Sequence, residues 1–145
     1  MKVLLQRVTQ ARVDVAGEAV GEIQRGLLLL VGIERHDSTE SVGRMADKLL
    51  AYRVFADADG KMNLSVRDIA GGVLAVSQFT LAADTQKGLR PSFSKAAPPD
   101  QAAFLFEQFL RDLRERHQPV ASGIFAADMQ VHLVNDGPVT FLLEL

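Results

Sequence analysis

The stretch Gly26-Leu27-Leu28-Leu29-Leu30-Val31-Gly32 decides how the rest of the chain is read. Five consecutive apolar residues leave no polar face for water, and the glycines at either end bound the run. A strand buried on both faces suits that pattern. Upstream, Val13 and Val15 alternate with polar residues, Ala16-Gly17-Glu18 offers a turn, and Val20 and Ile23 follow, so the segment before the run reads as a β-hairpin. Downstream, Asp37 with Glu40 three residues later forms a capping-box-like start. Val42, Met45, Ala46, Leu49 and Leu50 then recur at helical spacing, predicting a helix from about Ser38 to Arg53.

The pattern continues in short elements. Turns are expected at Asp59-Gly60 and Gly71-Gly72, and a strand over Val73 to Phe79. A second helix starts near Pro98-Pro99-Asp100, where proline suits a first turn, and runs to about His117, burying Ala103, Phe106, Leu110 and Leu113 with Phe109 alongside. Met129 to Val134 alternates, Asn135-Asp136-Gly137-Pro138 reads as a turn, and Val139 to Leu143 forms a last strand. Strands, helix, strand, helix, strands, with no linker or repeat, specify one α+β domain over residues 1–145. Its sheet is mostly antiparallel and barrel-like, flanked by two main helices.

Composition narrows the function classes. The 145 residues include no cysteine, which removes disulfides, thiolate metal sites and a cysteine nucleophile. The N-terminus meets charge at Lys2 and Arg7, too early for a signal-peptide core or a membrane span, so a soluble cytoplasmic protein is expected, with no membrane partner. A net charge of −2 argues against a long grip on nucleic-acid backbone, and no DNA partner is expected. The densest basic stretch is Lys87, Arg90 and Lys95, within a loop that also holds Gly88, Pro91, Ser92 and Ser94.

Common hydrolase signatures are missing: there is no G-x-S-x-G elbow, no H-E-x-x-H and no glycine-rich phosphate loop. Asp57-x-Asp59-Gly60 begins like a calcium loop, but Lys61 stands where the next ligand belongs. His36, His117 and His132 show no metal-ligand spacing, so neither metal nor cofactor is expected. What stands out is polar residues in apolar context. Ser77-Gln78-Phe79-Thr80 closes an apolar strand, either satisfying its own hydrogen bonds or forming a site. Gly137-Pro138 is the kind of X-Pro bond at which a cis peptide costs little, although alone it is a weak signal, with a plain hairpin turn as the bland reading.

Ser-Gln-Phe-Thr at 77–80 and Asn-x-Gly-Pro-Val-Thr at 135–140 are together the two signature motifs of the D-aminoacyl-tRNA deacylases. Further matching pieces are Gln6-Arg7-Val8, Gly60-Lys61-Met62-Asn63-Leu64-Ser65, Arg90-Pro91-Ser92-Phe93 and Ala127-Asp128-Met129-Gln130-Val131. The chain therefore resembles the D-tyrosyl-tRNA(Tyr) deacylase family along essentially its whole length. The resemblance implies a homodimer with two active sites at its interface, each taking Ser77, Gln78, Phe79 and Thr80 from one subunit and Gly137 and Pro138 from the other. The substrate is the 3′ end of an aminoacyl-tRNA carrying a D-amino acid or glycine. By the same resemblance, backbone N–H groups around Phe79 and Thr80 meet the developing oxyanion, and a Gly-cis-Pro unit walls out L-amino acids. Phe125 and Met129 seat the terminal adenosine, whose 2′-hydroxyl assists attack. Two other readings stay open: a covalent route through Thr80 or Ser77, and a non-catalytic module that binds tRNA ends.

Overall fold

The computed structural model describes all 145 residues. In chain order the elements are β1 (Lys2–Val15), β2 (Glu18–Ile23), β3 (Gly26–Gly32), α1 (Thr39–Ala51), β4 (Phe55–Ala56), β5 (Met62–Leu64) and β6 (Gly72–Ser77). A short 3-10 helix (Phe79–Ala82), α2 (Pro99–Arg116), β7 (Val120–Ser122) and β8 (Met129–Glu144) complete the chain. β4 and β5 make a separate small ribbon; the other six strands form one sheet.

The long β1 organises that sheet. Along one edge its first half pairs with β3 and its second half with β2; its other edge pairs with β8 throughout. These pairings are antiparallel, whereas β3–β6 and β6–β7 are parallel. Gly21 of β2 passes so close to β7 that a Cβ there would lie 2.6 Å from the Ser122 carbonyl oxygen. The path β2-β1-β3-β6-β7 thus curls until its two ends meet, which gives the barrel-like α+β domain that the sequence pattern specifies.

β3 is buried on both faces, and its residues divide between two cores. Leu27, Leu29 and Val31 pack outward beneath the helices, with Met45 and Leu49 of α1 and Phe106, Phe109 and Leu113 of α2. Leu28 points into the barrel with Val8, Val13, Ile23, Leu74 and Val76. Burying each such aliphatic side chain stabilises the fold by about 1.5–3 kcal/mol, so a polar residue anywhere in 27–31 would be costly.

Several boundaries differ from the sequence reading. The α1 cap is Ser38, which makes a reciprocal box with Ser41. Asp37 is drawn instead into a tertiary role, accepting the Glu34 N–H at 2.7 Å and the Ser41 hydroxyl at 3.0 Å. On α2 the buried stripe uses Ala102 and Leu105 where Ala103 was expected, a rotation of part of a turn set by the sheet beneath. β6 stops at Ser77 because Gln78 leaves the pleat with φ −140 and ψ 79. The largest correction concerns residues 135–138, which do not join two strands. Both flanks pair with the same strand β1, so β8 is one continuous strand that carries a bulge.

Candidate active site

The polar segment that ends β6 is presented by backbone geometry. The Gln78 N–H donates to the Val31 carbonyl at 2.7 Å, a last tie to β3, and the chain then tightens into the 3-10 helix. The Leu81 and Ala83 N–H groups bond back to Gln78 and Thr80, while the first N–H groups of such a helix, here those of Phe79 and Thr80, have no partner inside it. Leu81 and Ala82 lie directly over Gly32. Phe79 is 56% exposed and its ring packs at 5.1 Å against Phe93, so a large apolar surface is held out toward solvent. Gln78 Nε2 donates to the Thr80 hydroxyl oxygen.

Ser77, Gln78 and Phe79 form one wall of a cavity of about 500 Å³. Phe125 and Asp128, between β7 and β8, and Met129 at the start of β8 also line it, together with Ala97, Pro99 and Ala102 around the start of α2 and Val76 and Val131 from β6 and β8. Phe125 is half-buried, its ring 6.3 Å from Phe106 of the main core, so the residue both packs and faces the cavity. Met129 does the same against the barrel interior. A mostly apolar cavity with a few polar groups is the usual form of a small-molecule site. Thr80 lies just outside it, exposed at the rim.

Asp128 is the polar cavity residue outside Ser77, Gln78, Phe79, Phe125 and Met129, the cavity residues for which the sequence implies a role. It is exposed and makes no ion pair or hydrogen bond within the chain. Its signal in the sequence is its place within Ala127-Asp128-Met129-Gln130-Val131, one of the pieces that carry the family resemblance.

Gly137 and Pro138 do not line this cavity; they stand exposed on the β8 bulge. Between Gln6 and Val8, β1 advances by two residues while β8 advances by five, from Asn135 to Thr140. The extra length is held as a rigid projection. Asn135 Oδ1 accepts the Val139 N–H at 3.0 Å, and Asn135 Nδ2 donates to the Val139 carbonyl at 3.2 Å and the Thr140 hydroxyl at 3.3 Å. From β1, Arg7 Nε donates to the Asp136 carbonyl at 2.9 Å while its Nη1 reaches the Val54 carbonyl at 2.7 Å. Val139 is buried and anchors the far side. The Gly137–Pro138 peptide is cis.

The bulge sits on an open edge, since β8 pairs only with β1. Along that edge Leu133, Val134, Phe141 and Leu142 are exposed, each by 37–54%. Long apolar edges of this kind are normally covered in a native assembly.

No histidine lines the cavity. His117 contacts the Gly71 carbonyl at 2.7 Å, His132 contacts Asp14 at 3.1 Å, and His36 is exposed in a loop. The Asp57 carboxylate is occupied by its own turn, accepting from the Asp59 and Lys61 N–H groups and from Asn63 Nδ2, and the Asn63 bond foremost holds it below the usual carboxylate range. No group of three His, Asp or Glu side chains is placed to hold a metal ion.

A family model described as D-Tyr-tRNA(Tyr) deacylase matches residues 4–144. A relative from Saccharophagus degradans named D-aminoacyl-tRNA deacylase is 63% identical over 145 residues, covering 100% of both chains. One of the same name from Azotobacter vinelandii is 66% identical over 144 residues, covering 99% of both. Among solved structures, the c-Myc DNA unwinding element binding protein superposes with a TM-score of 0.96 at 44% identity, over 100% of this chain and 99% of the other. A probable eukaryotic D-amino acid tRNA deacylase superposes with a TM-score of 0.87 over 99% and 98%, and at 19% identity that likeness speaks to fold alone.

Proposed function

Because the chain belongs to the D-Tyr-tRNA(Tyr) deacylase family, whose members are ester hydrolases, we propose that it hydrolyses the ester between a D-amino acid and the terminal adenosine of tRNA. Free amino acid and tRNA are the products, glycyl-tRNA is a second substrate, and the work is done in the cytoplasm. The observation that carries this reading is the single cavity in which Ser77, Gln78 and Phe79 face Phe125 and Met129. Its mostly apolar lining suits a purine, and its polar residues Ser77 and Gln78 suit an ester.

Attack of water on the ester places negative charge on the former carbonyl oxygen. The Phe79 and Thr80 N–H groups, unpaired within their helix, are the donors in this reading; one preorganised donor is typically worth about 10²–10³ in rate. Ser77 and Gln78 orient the acyl group. Thr80 is a poor nucleophile here because its hydroxyl contacts only the Gln78 amide, and no imidazole or carboxylate is bonded to it to take its proton. The 2′-hydroxyl of the substrate adenosine is the group left to assist water.

Discrimination between enantiomers calls for exclusion, since D and L acyl groups share the same composition. Gly137 and Pro138 of a second copy provide the wall. They are rigidly held, exposed, and carried on an open apolar edge that a twofold dimer would cover. Backbone carbonyls there accept the substrate ammonium while crowding an L side chain. A non-catalytic module is disfavoured by full-length relatives named for deacylase activity. The structural relative named for binding a DNA element does not extend that role to this chain, whose net charge of −2 argues against a long grip on a DNA backbone.

The test is release of amino acid from matched D- and L-aminoacyl-tRNA. Fast release from the D-form and glycyl-tRNA only is expected, with Thr80→Ala retaining most of the rate and a 3′-aminoacyl tRNA ending in 2′-deoxyadenosine hydrolysed poorly. Equal rates on both enantiomers would refute the proposal. A dead Thr80→Ala with a normal deoxy substrate would establish the covalent route instead.

A further inference from the structure

The cavity takes only the end of a tRNA, and nothing in it meets the phosphates that precede that end. The segment that follows the 3-10 helix is suited to them. From Thr85 to Pro99 the chain holds Lys87, Arg90 and Lys95 and no Asp or Glu, in a protein whose net charge is −2. Every residue from Thr85 to Lys95 is exposed. Lys95 is paired with Asp84 at 3.2 Å, but Lys87 and Arg90 make no ion pair or hydrogen bond within the chain. Between them Leu89 is fully exposed, a large apolar side chain with nothing against it.

The root of this loop is fixed, and it is fixed to the site. Asp84 and Ser92 exchange backbone hydrogen bonds of 2.7 and 3.0 Å. Asp84 also accepts the Gln86 N–H at 3.0 Å, which is the main cause of its lowered pKa, with Lys95 second. Arg35 Nε donates to the Ser94 carbonyl at 2.6 Å. Phe93 packs on Phe79, so the loop returns to the residue that walls the cavity. Two unpaired cations are therefore projected from a rigid base beside the place where the 3′ end enters.

We propose that the tip of this loop, through Lys87 and Arg90, binds phosphates of the tRNA 3′ strand and acceptor stem next to the terminal adenosine, setting affinity for tRNA without touching the chemistry. This rests on the proposed function and adds to it a second contact region outside the cavity. Cations facing phosphates release counterions, so binding through them falls with salt by about 0.7 in log–log slope per contact on a single strand and about 0.9 on a duplex.

The experiment compares K87Q/R90Q with the unaltered protein on two substrates, D-aminoacyl-tRNA and D-aminoacyl-adenosine, across a salt series. The expected result is a several-fold rise in KM for the tRNA with kcat held, a log–log salt slope shallower by about 1.4–1.8 for two lost contacts, and unchanged kinetics on D-aminoacyl-adenosine, which has no phosphate to lose. Unchanged kinetics on the tRNA would overturn the proposal. So would equal loss on both substrates, which would mean that the loop acts through Phe93 on the cavity wall. Anisotropy of uncharged tRNA needs no chemistry: the same loss of affinity and slope supports the loop even if the unaltered protein hydrolyses neither substrate, the outcome that removes the proposed function instead, and equal binding refutes the loop.

Discussion

Asn135→Ala is the sharpest perturbation of the bulge that presents Gly137 and Pro138. The Asn135 side chain makes three hydrogen bonds across the bulge, of 3.0, 3.2 and 3.3 Å, and two of them satisfy the backbone of Val139, a buried residue. Truncation removes both bonds to Val139 and leaves its N–H short of an acceptor. At about 1 kcal/mol per bond, more where a buried group is left unpaired, the presented conformation should weaken by about 2–3 kcal/mol. Arg7 still holds the Asp136 carbonyl, so the strand stays docked and the loss is local. A local loss of that size lowers the fraction of molecules with a correctly placed wall by up to roughly 30–150-fold, at 1.36 kcal/mol per decade. D-aminoacyl-tRNA hydrolysis should fall by at least tenfold, or selectivity over the L-form should collapse, while the midpoint of thermal unfolding drops by only a few degrees. Asn135→Asp, which keeps the acceptor for the Val139 N–H and loses the donor, should fall between. Wild-type rate and selectivity in Asn135→Ala, with the protein folded, would refute the reasoning that a rigid bulge forms the wall.

Gly32→Ala tests the seat of the 3-10 helix: the new Cβ would lie 3.1 Å from Leu81 Cβ and 3.3 Å from both the Ala82 nitrogen and the Gln78 carbonyl oxygen, so the site segment must shift by a few tenths of an ångström. We expect kcat to fall about tenfold or more for a stability cost of about 1–3 kcal/mol, and kcat equal to wild type would show that this placement is not critical. Asp84 gives a pH prediction. Its pKa is lowered first by the Gln86 N–H and then by Lys95, so its contribution to the loop is present above the ordinary carboxylate range and lost as pH falls through the lowered value. Hydrogen exchange at Gln86, normalised to its intrinsic rate, should lose protection below about pH 4 in the native protein, and that dependence should vanish in Asp84→Asn.

What the sequence made legible were features set by short-range physics. Leu27 to Val31 can be satisfied only where both faces are covered, and the chain offers no other place for it. The spacing of Val42, Met45 and Leu49 leaves no alternative to a helix, although the cap expected at Asp37 falls at Ser38. Asp37 and Ser38 are both good caps, and Ser38 prevails because Asp37 is engaged by the Glu34 N–H, a contact that local pattern does not encode. The four residues Ser77 to Thr80 stood out as polar groups at the end of an apolar strand. What they face was hidden, since the cavity is completed by Ala97 and Ala102 near the start of α2 and by Phe125 and Met129 beyond β7.

The bulge at 135–138 marks where local reading ends. Asn-Asp-Gly-Pro carries every mark of a hairpin turn, and in isolation the same residues would make one. What forbids the turn is β1, which runs on past both flanks and pairs with each, from Met129 opposite Val15 to Glu144 opposite Lys2. A partner strand of 14 residues keeps the two halves of β8 collinear, so the excess residues have to leave the sheet. Arg7, distant in sequence, then fixes the way they leave. The same β1 that imposes the bulge leaves the outer edge of β8 unpaired, so the motif stands exposed on an open edge and outside its own chain's cavity. Under the proposed function a site built from Ser77–Thr80 and Gly137–Pro138 together takes a second copy, and dimerisation and catalysis are then expected to go together: Phe141→Glu on the open edge should abolish both in the same titration by sedimentation and by D-aminoacyl-tRNA hydrolysis, and a fully active monomer would separate them and remove the partner's Gly137 and Pro138 from the reaction.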